Sequence, residues 1–198
     1  MTDFIRTLKK RRSIYALGKN TTLSEANIES LIVSAVQESP SAFNSQSSRI
    51  VILFNAAHDR LWAITEQALR AKVAAADFGP TAEKLALFKA AKGTVLFFED
   101  QAVVAALQSQ FPAYADNFPI WSEQSSGMAQ HAVWVALNEQ GIGASLQHYN
   151  PLIDPDVTVE WAIPEAWQLK SQMPFGSIEA EAAEKNYVEI DTRFKVFK

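Results

Sequence analysis

The chain has no cysteine in its 198 residues. That one absence excludes disulfides, thiolate nucleophiles, iron–sulfur clusters and cysteine-bound zinc. Glycine is scarce as well. The seven present form neither a P-loop nor a G-x-G-x-x-G turn, so there is little glycine-rich backbone to cradle a phosphate. A G-x-S-x-G nucleophile elbow and an H-E-x-x-H pair are both missing. His58, His131 and His148 are too scattered for a metal-ligand spacing, and no metal is expected. Positive charge is not in excess: 18 Lys and Arg stand against 22 Asp and Glu, a formal net charge of -4 at pH 7. That balance argues against nucleic acid as a partner. No apolar run approaches the ~18 residues of a membrane span. The opening MTDFIRTLKKRR has no apolar stretch behind its basic residues, so neither a secretory leader nor a membrane partner is expected, and the location is expected to be cytoplasmic.

What is present describes an ordinary globular chain, 48% hydrophobic and 20% charged, long enough for one domain over 1–198. Ile28, Leu31, Ile32, Ala35 and Val36 fall on one face of an amphipathic helix. Thr22 and Glu25 are spaced as its capping box, and Pro40 ends it. RIVILF and TVLFFE are short buried strands in this reading. Helical segments are expected from His58 to about Ala76 and, after the break Asp77-Phe78-Gly79-Pro80, through Leu85 and Phe88. Pro112 and Pro119 mark an irregular aromatic stretch that holds Tyr114 and Phe118 between them and is flanked by Phe111 and Trp121. The longest helix is expected from near Ser122 to Gln140, with Gly141 as its C-cap. A short helix near Pro155 to Trp161 and a strand near Leu169 to Met173 follow. Helices and strands intermix without regular βαβ spacing, which predicts a single α+β domain.

One stretch does not fit an acidic chain. LKKRRSIYALGKN, from Leu8 to Asn20, puts four basic residues in a row. They suit a solvated helix C-terminus, where Lys and Arg complement the dipole. They equally suit an anion site. A second basic cluster, Arg193, Lys195 and Lys198, lies at the other end of the chain. Between them stand two polar loops, one with Ser41, Asn44 and Gln46, the other with Gln147, His148, Tyr149 and Asn150. Each is compatible with plain turn chemistry. Side-chain amides also present donors and acceptors together, which suits the mixed edge of a flat heterocycle. Taken together, the signals describe a phosphorylated heterocyclic cofactor.

The motifs RRSIYALGK (11–19), SPSAFNSQ (39–46), GIGASLQHYNP (141–151), MPFG (173–176) and DTRFKVFK (191–198) come in the order seen in the nitroreductase family of FMN-dependent oxidoreductases. The chain resembles its short bacterial and fungal branch, and the motifs span nearly the whole length. The resemblance implies an α+β nitroreductase-like fold: a central, mostly antiparallel sheet flanked by helices, in an intertwined homodimer with FMN sites at the interface. It assigns FMN phosphate to Arg11, Arg12 and Ser13, completed by Arg193 and Lys195, since guanidinium groups bind phosphate oxygens bidentately. Asn44 and Gln46 would meet the flavin's polar edge and ribityl chain. The segment Gln147, His148, Tyr149 lies where the family places a backbone N–H near flavin N5. The implied reaction is ping-pong two-electron transfer from NADH or NADPH to a small aromatic acceptor, nitroaromatic or quinone. The flavin carries the chemistry, and no side chain is assigned as catalytic. Phe43, Phe118, Trp121 and Tyr149 are candidate walls of an aromatic pocket. Two departures stand out. Tyr15 occupies a position where many relatives have Lys or Arg, and His148-Tyr149 replaces a Glu-Gly pair. Both also admit a flavin-binding regulatory or sequestering protein with negligible turnover.

Overall fold

The computed structural model describes residues 2–198. At its centre is β3 (Gly93–Asp100), buried along nearly its whole length. It pairs antiparallel with β2 (Ser48–Phe54) on one side and β5 (Trp167–Ile178) on the other. Two-residue strands β1 (Leu17–Gly18) and β4 (Gly143–Ala144) pair antiparallel with β5. Side chains of β3 alternate between two cores, as a pleated strand dictates. Val95 and Phe97 join Ile28 and Ile32 of α2 (Glu25–Gln37) and Val133 and Leu137 of α6 (Phe118–Glu139). Leu96 and Phe98 join Leu61 and Trp62 of α3 (Asn55–Arg70), Phe88 of α4 (Gly79–Lys89) and Val157 of α7 (Asp154–Glu160). A strand covered on both faces needs no polar side, hence the unbroken apolar run in TVLFFE.

A bulge between Phe97 and Phe98 resets β5. Phe97 faces Ser171 and Phe98 faces Leu169, so Lys170 is the extra residue. Leu169 therefore reaches one core while Met173 and Phe175 reach the other, although all three are odd-numbered. β5 is also longer than the expected Leu169–Met173, because Pro174 and Gly176 stay within it. At Gly176 a Cβ would collide with the carbonyl oxygen of Gly18, so the close strand approach there requires glycine.

Other boundaries differ for identifiable reasons. Ser24, not Thr22, caps α2, its Oγ accepting from the Asn27 N–H at 3.3 Å. Glu25 turns away from a capping box to Lys92 Nζ (2.6 Å) and the Asn55 amide. α6 begins at Phe118 rather than Ser122, with Pro119 in the first turn, where its missing N–H costs nothing. The small residues Ser125 and Ala129 of α6 are buried. Helix α1 (Asp3–Lys10) gives the basic run the helix end it suits, and α5 (Gln101–Gln110) has no counterpart in the sequence reading; Asp100 caps α5 by accepting from the Ala102 N–H at 3.0 Å. After β5 the chain has no regular secondary structure apart from the four-residue helix α8 (Ile190–Arg193). Among the described residues no helix is long and apolar enough to cross a membrane.

Candidate functional site

The basic run divides in two. Lys9 and Lys10 are exposed in the last turn of α1, where they complement its dipole. At Arg11 the backbone turns extended, and the following residues dock on β4: Ser13 bridges Ala144, and the Ile14 N–H donates to the Ala144 carbonyl at 2.9 Å. Docking brings Arg11 against α6, its guanidinium 4.3 Å from the centroid of the Trp134 ring. Arg11 Nε is buried without a hydrogen-bond partner. Burial first, and then the adjacent Arg12, lower the Arg11 pKa from its ordinary value. Among the described residues neither Arg11 nor Arg12 has a carboxylate partner. Arg12 Nη2 donates to the Ala183 carbonyl at 2.7 Å. Together with Ser13, Tyr15, Leu87 and the 180–185 segment, the two arginines line a cavity of about 590 Å³. Nearby His131 is held below its usual pKa, mainly by burial and then by Arg11.

Two guanidinium groups beside a hydroxyl, one with a buried unpaired N–H, form a donor set suited to a dianionic phosphate. Tyr15 stands in the wall of the same cavity, half exposed, its ring 6.2 Å from that of Phe88. Lys19 is exposed and lines no part of it. Arg193 and Lys195 are also outside it. Both are exposed on the C-terminal tail, and the Arg193 guanidinium lies 5.6 Å over the Phe194 ring.

The Ser41–Gln46 loop is wound tightly around Ser41. Its carbonyl accepts from the Asn44 N–H at 3.0 Å and its Oγ from the Gln46 N–H at 2.9 Å. Phe43, Asn44 and Gln46 all take positive φ, 55°, 51° and 47°. Such left-handed backbone costs a bulky residue about 1–3 kcal/mol and persists only where its surroundings enforce it. Asn44 and Gln46 are exposed. The half-exposed Phe43 ring packs on Phe111 (4.9 Å between centroids), Phe118 (5.3 Å) and, nearly parallel, Trp121 (6.0 Å). Phe43 and Trp121 border an open groove of about 460 Å³ with Pro40, Gln124 and Met128 and no charged residue. Phe118 is buried beneath them. Tyr149 is elsewhere, packed edge-on against Trp62 at 5.9 Å.

In the Gln147–Asn150 loop Gln147 is buried and exchanges both backbone hydrogen bonds with Gln172 of β5, at 2.7 and 2.9 Å. Its side-chain amide donates to Ser145 Oγ at 3.1 Å. The Tyr149 N–H donates to Gln172 Oε1 at 2.7 Å. Of the three N–H groups in Gln147–Tyr149, only that of His148 has no acceptor among the described residues; its side chain is exposed. No group of three or more His, Asp or Glu among the described residues is placed to hold a metal.

Sequence reading missed Trp134 and Gln172, whose roles exist only once distant segments are docked. It also missed Glu99, buried behind the Ser41–Gln46 loop. A charged residue closing an apolar strand run was the available signal.

A model of the nitroreductase family matches residues 8–177. The chain is 36% identical over 193 residues to the nitroreductase-type protein HBN1 of Saccharomyces cerevisiae, covering 96% of each. The solved structure of nitroreductase CinD from Lactococcus lactis in complex with 4-nitrophenol is 52% identical, with a TM-score of 0.91 over 99% of this chain and 100% of that one. A second structure of CinD contains chloramphenicol. At 16% identity, where the fold alone is compared, a Desulfovibrio desulfuricans protein in complex with FMN gives a TM-score of 0.73 over 100% of this chain and 99% of that one.

Proposed function

The chain belongs to the nitroreductase family, and on that footing we propose that it is an FMN-dependent oxidoreductase drawing electrons from NADH or NADPH and passing them in pairs to nitroaromatic or quinone acceptors. The observation that carries the cofactor is the Arg11–Arg12–Ser13 group at the 590 Å³ cavity, with its buried, unpartnered Nε. Arg11, stiffened by stacking on Trp134, and Arg12 hold the phosphate, and Ser13 adds a hydroxyl donor. The His148 N–H is the backbone donor available to the flavin ring, because Gln172 occupies its two neighbours. Asn44 and Gln46 present exposed amides to the ring edge. FMN, when bound, supplies hydride acceptance from the nicotinamide and two-electron delivery to the acceptor, which take turns at one face. This chain's residues bind, orient and exclude water; Phe43 and Trp121 offer flat apolar walls to an aromatic acceptor. CinD's complexes with 4-nitrophenol and chloramphenicol support that acceptor class.

The working unit in this reading is a homodimer. The C-terminal tail leaves Tyr187, Val188, Ile190, Phe194, Val196 and Phe197 exposed, an arrangement that favours burial against a second copy. Arg193 and Lys195 would then reach the partner's phosphate site. Steady-state NAD(P)H oxidation with a nitroaromatic tests the activity. Stimulation well above a free-FMN control is expected. No stimulation would overturn the enzyme reading in favour of flavin binding without turnover.

A further inference from the structure

Behind the strained Ser41–Gln46 loop, Glu99 near the end of β3 is fully buried. Its carboxylate accepts from Ser47 Oγ at 2.6 Å, from Ser122 Oγ at 2.7 Å and from the hydroxyl of Ser48. No cation lies within ion-pair distance of it among the described residues. A buried carboxylate held only by hydroxyls is a costly group for a core, and apolar packing would serve stability as well. The partners explain what it does. Ser47 and Ser48 carry the exit of the Ser41–Gln46 loop, and Ser122 lies on α6, one residue beyond Trp121. The loop is pinned in parallel elsewhere: the Ala42 N–H donates to Ser125 Oγ at 3.3 Å, the Asp100 N–H to the Ser47 carbonyl at 3.0 Å, and Arg49 Nη1 to the Gln46 carbonyl at 2.6 Å. Three left-handed residues within four positions require such enforcement.

We propose that Glu99 is a positioning residue, fixing the Ser41–Gln46 loop and α6 to one another from inside the core. It thereby sets where the amides of Asn44 and Gln46 and the rings of Phe43 and Trp121 meet the flavin and its acceptor. This role rests on the flavin reading above. It acts on the ring side of the cofactor, whereas Arg11 and Arg12 act on the phosphate side. Riboflavin, which lacks the phosphate, separates the two.

Full-length protein and its Glu99→Leu, Glu99→Gln and Arg11→Ala variants are titrated with FMN and with riboflavin, and the visible circular dichroism of the bound flavin is recorded. Glu99→Leu is expected to weaken both flavins by about tenfold and to alter the dichroism, the loss of roughly one well-made hydrogen bond at the ring. Glu99→Gln, whose amide oxygen still accepts from serine hydroxyls, is expected to restore both. Arg11→Ala is expected to weaken FMN alone. Should Glu99→Leu not fold, the double variant Ser47→Ala/Ser48→Ala unhooks only the loop and is expected to reproduce its effect. Unchanged affinities and dichroism in a folded Glu99→Leu or the double serine variant, or a Gln variant as impaired as Leu, would overturn the positioning role while leaving the cofactor reading intact. A wild type that takes up neither flavin would overturn both.

Discussion

At the scale of single residues, Arg11 carries most of the cofactor argument. Its guanidinium lies over the Trp134 ring, and its buried Nε has no hydrogen-bond partner among the described residues. A charge-assisted hydrogen bond is worth about 1.5–3 kcal/mol, so Arg11→Ala is expected to weaken FMN binding about ten- to a hundredfold. Equilibrium dialysis against FMN checks this; stoichiometric retention in the variant would contradict the phosphate assignment. Tyr15 in the same cavity wall sets a second expectation. A cation there would stabilise a reduced, anionic flavin, so Tyr15→Lys is expected to raise the flavin midpoint potential in a redox titration. A lowered or unchanged potential would place Tyr15 away from the pyrimidine. Four consecutive charges are conspicuous in an acidic chain, but alone they suit a solvated helix end equally well. The second basic cluster and the ordered family motifs are what singled out Arg11, Arg12 and Ser13 in the sequence. The split between Lys9–Lys10 and Arg11–Arg12 was only partly legible, since it depends on where α1 stops. Trp134 could not be read at all: a tryptophan in an apolar helix face signals core, and nothing local says that an arginine stacks on it.

At the scale of elements, legibility followed periodicity. α2 was plain because its apolar spacing is regular, and β3 because it is a short unbroken apolar run opened by Gly93. α5 was hidden by a weak apolar stripe, and the first turn of α6 by a proline that reads as a breaker unless it falls in a helix's opening turn. The bulge at Phe97/Phe98 left no sequence signal, because an extra Lys170 looks like any polar strand residue. Phe97, nearly fully buried in the α2/α6 core, tests the packing: Phe97→Ala is expected to cost about 3–5 kcal/mol in urea unfolding. A much smaller loss would mean that this core is not close-packed. α3 also carries a pH expectation. His58 is buried between Thr94 Oγ1 (2.9 Å) and the Lys89 carbonyl (3.2 Å), and burial holds its pKa below the usual value. The unfolded state therefore takes up the proton first. The stability that neutral His58 contributes is present above about pH 6.5 and is lost as pH falls through the lowered folded value. His131 is shifted the same way and adds to the trend. The unfolding midpoint is expected to drop between neutral and mildly acid pH, and to drop less in His58→Gln. An equal drop in that variant would remove His58 from the account.

For the whole molecule, the fold expectation held: an α+β domain around an antiparallel sheet, in the family the ordered motifs pointed to. In the homodimer proposed above, the site is shared between two copies of the chain. Arg193 and Lys195 sit on a tail whose apolar side chains Tyr187, Val188, Ile190, Phe194, Val196 and Phe197 are exposed, and in the proposed dimer these would be buried where the two basic clusters meet. Removing residues 186–198 is expected to yield monomer in light scattering and to lose FMN together with it. A dimeric, flavin-replete truncation would contradict the assembly reading.

The most direct test is an anaerobic one on the purified protein. Loaded with FMN, it is titrated with NADH or NADPH while its visible spectrum is followed, and a nitroaromatic is then added. The yellow absorption is expected to bleach with about one equivalent of reduced nicotinamide and to return on addition of the acceptor, the signature of two half-reactions on one flavin. Absorption that fails to bleach, or bleaches and is not restored by the acceptor, would contradict the proposal that this chain is a flavin-dependent nitroaromatic reductase.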